Sequence, residues 1–126
     1  MPDLKVLLIT ANTVLSRAIT SAFTSMYIQS AVLTNCSKLL LQDKPKYTLA
    51  LLDLDSLGAA KIAELKAFLA RIHGLPVIAM CNMGKTSNDE IVEILSSGVN
   101  DVMPNSMDMN VLVAKTKSHL RRLGVN

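Results

Sequence analysis

The sequence predicts an α/β fold, a (βα)5 doubly wound domain whose parallel five-stranded sheet runs in the order 2-1-3-4-5. Two hydrophobic periodicities alternate along the chain: short β-branched or Leu-rich runs, separated by longer segments whose apolar residues recur every three or four positions. The run from Tyr47 to Asp53 is almost continuously hydrophobic, as a parallel strand covered on both faces should be. The connections are short enough for right-handed crossovers, and no linker or repeat interrupts the alternation.

The first strand is expected at Leu4 to Thr10, followed by a helix from about Thr13 to Met26 whose face is Leu15, Ala18, Ile19, Ala22 and Met26. Asn12 or Thr13 would cap it, because a short polar side chain can accept from the first free helix amides. The second strand, Tyr27 to Leu33, leads into a short helix containing Leu39, Leu40 and Leu41 that ends before Pro45. Tyr47 to Asp53 is the third strand and the sheet centre. A helix from about Leu57 to Ile72 follows, with Ile62, Leu65, Leu69 and Ile72 as its stripe and Gly74 just past its end. The fourth strand is Pro76 to Cys81. Ser87-Asn88-Asp89-Glu90 reads as a capping box opening a helix that buries Ile91, Ile94 and Leu95 before Gly98. Val99 to Met103 is the fifth strand, and the last helix runs from about Asp108 to Leu123.

All 126 residues read as one domain, residues 1–126. With 50% apolar and 18% charged residues and only 5 Gly and 4 Pro, disordered and collagenous classes are excluded. The apolar runs, such as Pro76 to Cys81, fall far short of the roughly 20 residues a spanning helix needs. Asp3 and Lys5 flank only a brief apolar run, without the pattern of an export signal, so a cytoplasmic location is expected. Cys36 and Cys81 lack metal-ligand spacing and read as reduced thiols. Aromatic content of 3% without Trp disfavours a base-stacking platform for nucleic acid. The net charge of +3 comes from the C-terminal segment, where Lys115, Lys117, Arg121 and Arg122 stand without an acid. Cations there suit a helix dipole better than they define a nucleic-acid patch.

Doubly wound sheets place functional groups in the crevice at the carboxyl ends of their strands, which points to Thr10 to Thr13, Asp53 to Leu57, Cys81 to Gly84 and Pro104 to Ser106. Asp53 could accept hydrogen bonds from helix-one amides or from polar groups in that crevice, and Thr10, Asn12 and Asn105 could form a neutral cluster with it. Asp55 reads as a solvated loop acid. Cys81, at a strand end beside Asp53, reads as a small buried hydrophobe whose thiol pKa a neighbouring carboxylate would raise. His73 and His119 read as surface or helix-end residues, and Gly84-Lys85-Thr86 lacks the upstream glycines of a phosphate-binding loop.

In length, element order and the texture of Leu51-Leu52-Asp53-Leu54, Leu75-Pro76-Val77-Ile78 and Gly98-Val99-Asn100-Asp101, the chain from Leu4 to Leu123 resembles the receiver domain of bacterial response regulators, a flavodoxin-like fold. The resemblance implies that Asp53 is the equivalent of the aspartate that accepts a phosphoryl group from a histidine kinase. That chemistry needs neutralising charge, which the family supplies as a magnesium ion on an acidic pair after the first strand, a lysine after the fifth, and a hydroxyl after the fourth. The corresponding positions here are degenerate. The acidic pair aligns with Thr10 and Ala11, the hydroxyl with Cys81, the lysine-proline with Asn105-Ser106, and the family's reporting aromatic residue with Val102. Asp55 could replace one lost ligand, yet the set is poor for Mg²⁺, so weak or absent binding and no cofactor are expected.

These substitutions favour an atypical, or pseudo-, receiver: a non-enzymatic, phosphorylation-independent interaction module in two-component or phosphorelay signalling. The resemblance implies a protein partner or self-dimer through the face made by helix 4, strand 5 and helix 5, and no membrane. The alternatives are a phosphoacceptor that uses Asp53 with an unusual metal arrangement, the N-terminal receiver of a longer regulator whose output domain would carry any DNA binding, and a sensor of small polar ligands in the crevice.

Overall fold

A computed structural model describes residues 5–123. The strands are β1 (Lys5–Ile9), β2 (Gln29–Leu33), β3 (Leu49–Asp53), β4 (Val77–Cys81) and β5 (Asp101–Pro104), all parallel, in the order β2-β1-β3-β4-β5. Every residue of β3 and β4 is buried, so the central strands read as unbroken hydrophobic runs because helices cover both faces. Leu4, expected to open the first strand, lies outside the described residues.

Four α-helices pack on the sheet: α1 (Thr13–Ser25), α2 (Lys61–Arg71), α3 (Asn88–Ser96) and α4 (Met109–Arg122). Alternation along the strands sends Leu7, Ile9, Ala50, Leu52, Val77 and Ala79 into a core shared with Leu65 and Phe68 of α2 and Ile94 of α3. It sends Val6, Leu8, Leu49, Leu51, Ile78, Met80 and Met103 into a second core, with Ile19 and Phe23 of α1 and Leu112, Val113 and Leu120 of α4. Ile19, Leu65 and Ile72 of the expected stripes are buried, and Phe23 and Phe68, outside those stripes, are buried beside them. Ala18, Met26 and Leu95, expected on buried faces, are exposed.

Helix starts follow local chemistry. The Asn12 side chain accepts from the Leu15 amide at 3.0 Å, Ser87 and Glu90 form a reciprocal capping box, and Asp108 accepts from the Asn110 amide at 2.8 Å. Past α3, Gly98 has φ +113°, a left-handed conformation that ends the helix without Cβ strain.

The expected second helix does not form as an α-helix. Residues Cys36–Lys38 and Leu41–Lys46 are two 3₁₀ pieces, with Pro45 inside the second. Three consecutive leucines cannot share one helix face: Leu39 is buried, while Leu40 and Leu41 are 53% and 56% exposed. Pro45 also lacks the amide a helix interior needs. The segment's carbonyls are satisfied across the fold instead, since the Arg71 guanidinium donates to Leu39 O at 2.7 Å and Cys36 O at 2.5 Å.

The expected third helix starts later than Leu57, because Leu54–Leu57 is a 3₁₀ turn that buries Leu54 and Leu57 before α2 begins at Lys61. His119 stands in the last turn of α4, as expected of a helix-end residue, but it is buried. It is 9% exposed and its Nε2 lies 3.0 Å from Asp101 Oδ2, tying α4 to β5. Among the described residues no helix is long and apolar enough to cross a membrane.

Candidate functional site

The same alternation decides which side chains meet at the carboxyl end of the sheet. Leu8 and Leu51 face α1 and α4, so Thr10 and Asp53, two positions further on, face that side too. Met103 does likewise on β5, and Asn105 follows it two residues later. Thr10, Asp53 and Asn105 therefore converge from three strands.

Asp53 is 2% exposed. Its Oδ2 accepts from Thr10 Oγ1 at 2.7 Å and from Ser56 Oγ at 3.0 Å. Those hydroxyls are in turn held by backbone amides, Asn12 donating to Thr10 Oγ1 at 3.0 Å and Ala11 to Ser56 Oγ at 2.9 Å. The other oxygen, Oδ1, accepts from the Asp55 amide at 3.3 Å and from Asn105 Nδ2 at 3.5 Å. Each donor is neutral. Among the described residues neither Asp53 nor Asp55 makes an ion pair with a Lys, Arg or His.

Asp55 is exposed, as expected of a loop acid, yet its carboxylate is engaged. Its Oδ2 accepts from Asn105 Nδ2 at 2.6 Å and from the Asn82 amide at 3.1 Å, so one carboxylate ties together the loops after β3, β4 and β5. Ser56 is the functional residue that sequence reasoning passed over. Its signal was its spacing: with three residues per turn, a 3₁₀ segment opening at Asp53 brings residue 56 back over residue 53.

Other expected positions fall apart from this cluster. Ala11 is exposed and contributes only its amide, while the Asn12 side chain caps α1 and does not reach Asp53. The helix-one amides do not serve the carboxylate either. Cys81 belongs to the core on the α2 and α3 side, opposite the row that carries Asp53, and its Sγ lies 3.6 Å from Met83 Sδ. Burial raises its thiol pKa above the usual value, opposed by a hydrogen bond with Thr86 and reinforced by the charges of Asp55 and Asp53. Val102 is half-buried against that same core.

The donor set does not fit a magnesium ion. Octahedral coordination at about 2.1 Å wants several free oxygens, mostly carboxylate or water. Here the positions after β1 are Thr10 and Ala11, both Asp53 oxygens are occupied by N–H and O–H donors, and Asp55 Oδ2 is held by two more. Among the described residues no cluster of three His, Cys, Asp or Glu side chains is placed to hold a metal. The chemistry available is that of a buried carboxylate whose lone pairs are already engaged, with no cation beside it.

A parallel sheet in this order, with polar groups gathered at its strand tips, defines a doubly wound α/β domain of the flavodoxin-like kind. Among solved structures the chain is similar to the signal receiver domain of a LuxO repressor protein from Vibrio parahaemolyticus, with TM-score 0.79, 19% identity, and coverage of 97% of this chain and 93% of that one. It is similar to a CheY-like receiver domain protein from Methanospirillum hungatei, with TM-score 0.79, 15% identity and 97% of both chains covered. It is also similar to an orphan response regulator of H. pylori, with TM-score 0.77, 18% identity, and 94% and 98% covered. No family model matches the sequence, and no curated protein matches it. The chain has the fold of a response-regulator receiver domain, and the likeness is one of backbone.

Proposed function

We propose that this chain is a pseudo-receiver: a cytoplasmic, non-enzymatic protein-interaction module of two-component signalling that works without phosphorylation of Asp53. The observation that carries the reading is the neutral cage on Asp53. An attacking carboxylate needs a free lone pair, and the incoming phosphoryl oxygens need cationic neutralisation, which is the largest contribution to such transfers. At Asp53 four neutral donors occupy the oxygens, and the position of the family's lysine holds Asn105, a neutral amide directed at Asp55.

The partner face would be α3, β5 and α4, the counterpart of helix 4, strand 5 and helix 5. Its support is the exposure of Val92 (61%), Leu95 (48%) and Val111 (46%) on the two helices. The test is incubation with acetyl phosphate and Mg²⁺ followed by intact-mass analysis. The expected result is no adduct. A gain of about 80 Da, abolished in Asp53→Asn, would establish the phosphoacceptor alternative instead.

A further inference from the structure

The helices differ in charge. On one face of the sheet α1 and α4 carry Arg17, Lys115, Lys117, Arg121 and Arg122 and no acid; on the other, α3 carries Asp89, Glu90 and Glu93 and no base, beside α2 with Lys61, Glu64, Lys66 and Arg71. Between α1 and α4 lies a groove of about 440 Å³ lined by Ala22, Ser25, Met26, Val113, Ala114 and Lys117. Its lining is mainly apolar, and the small Ala22, Ser25 and Ala114 let another helix approach between Met26, Asn110 and Lys117. Lys117 stands on the rim, and Arg121 follows one helical turn later on the same side of α4.

The outer face of α3 has the complementary pattern. Asp89 and Glu93 are exposed one turn apart, and Val92 and Leu95 between and beside them are 61% and 48% exposed. Two cations at four-residue spacing beside a mainly apolar lining thus match two anions at four-residue spacing beside two apolar side chains. Among the described residues, none of the four charged groups makes an ion pair within its own chain.

We infer that a second copy of this chain docks the outer face of its α3 in the α1/α4 groove, in a head-to-tail contact that can repeat from copy to copy. The inference rests on reading the chain as an interaction module and names one partner for the α3 surface. A single helix in a single groove buries less than a standard interface, so the contact is transient, with a dissociation constant of about 10⁻⁴ M. Because the contact is heterologous, growth does not stop at a dimer unless the rotation closes a ring.

Sedimentation velocity on the full chain tests it. The expected result is an average mass that rises with concentration at about 0.02 M salt and returns to that of the monomer at about 0.5 M, where screening is nearly complete. Lys117→Glu and Glu93→Lys should each lose the association by about tenfold or more. The charge-swapped double variant should regain it, because Glu at 117 again faces Lys at 93. Arg121→Glu with Asp89→Lys is a second pair should either first variant fail to melt as wild type does. A wild type that stays monomeric at about 1 mM, or a double variant that is not rescued, overturns the contact. Association lost in Glu93→Lys but untouched by Lys117→Glu also overturns it and points to a symmetric α3 dimer. Phosphoryl labelling of Asp53 would refute the functional reading without altering these results, and a monomeric wild type would refute the contact while leaving that reading in place.

Discussion

Replacing Asp53 by Asn changes only one oxygen to an amide group, yet it should cost this fold stability. As a carboxylate, Asp53 receives two hydroxyl bonds at 2.7 and 3.0 Å on Oδ2 and two longer N–H bonds at 3.3 and 3.5 Å on Oδ1. Asn can keep the two hydroxyl bonds on its single oxygen, but they lose charge assistance, which roughly halves them. At about 2 kcal/mol per charged bond, the loss is about 2 kcal/mol in total. The new amide then points its protons at two existing donors, the Asp55 amide and Asn105 Nδ2. Relief of repulsion from Asp55 offsets little, because that carboxylate is exposed and already hydrogen-bonded. A net loss of about 2 kcal/mol lowers the melting temperature by about 8 °C for a chain of this size. Urea titration of both proteins, with unchanged slope, measures it. The sign discriminates: a pocket crowded with carboxylates is relieved by this substitution, whereas a donor-filled one is weakened. Equal or greater stability of Asp53→Asn would refute the cage.

Two further predictions concern the segment that replaces the second helix. Arg71→Lys should destabilise by about 1–2 kcal/mol and speed amide exchange across residues 36–46, because an ammonium cannot serve the Leu39 and Cys36 carbonyls in the forked geometry of a guanidinium; exchange mass spectrometry with equal protection there would contradict this. Burial, reinforced by Glu64 and opposed by Arg71, pushes the Cys36 thiol from 9.0 up to about 11, so near pH 8 its thiolate fraction is about a hundredfold smaller than that of a thiol at 9.0 and, with the greater nucleophilicity of the more basic thiolate, its alkylation by iodoacetamide should run about tenfold slower. Since the folded thiol holds its proton more tightly than the unfolded one, the associated stabilisation is present below pH 9 and lost as pH rises towards about 11. Alkylation of native protein at the rate of the denatured chain would disprove the shift.

What the amino-acid order by itself determined is what depends on neighbours within a few residues. Period-two hydrophobic runs, three- and four-residue spacings, the Ser87–Glu90 capping box and the glycines after the helices are local signals, and they were enough for the sheet order and for placing Thr10, Asp53 and Asn105 at one end of it. Tertiary structure decided what depends on partners far along the chain. Asp55 joins Asn82 and Asn105 from 27 and 50 residues away, and Arg71 reaches back 32 and 35 residues to the carbonyls of a segment that is not an α-helix. Likewise Asp101 meets the buried His119 across 18 residues, and the β3–β4 register pairs Asp53 with Met80, which leaves Cys81 on the opposite face. A hydrogen bond needs its two groups within about 3 Å, and only the closed fold sets that distance for residues so separated in sequence.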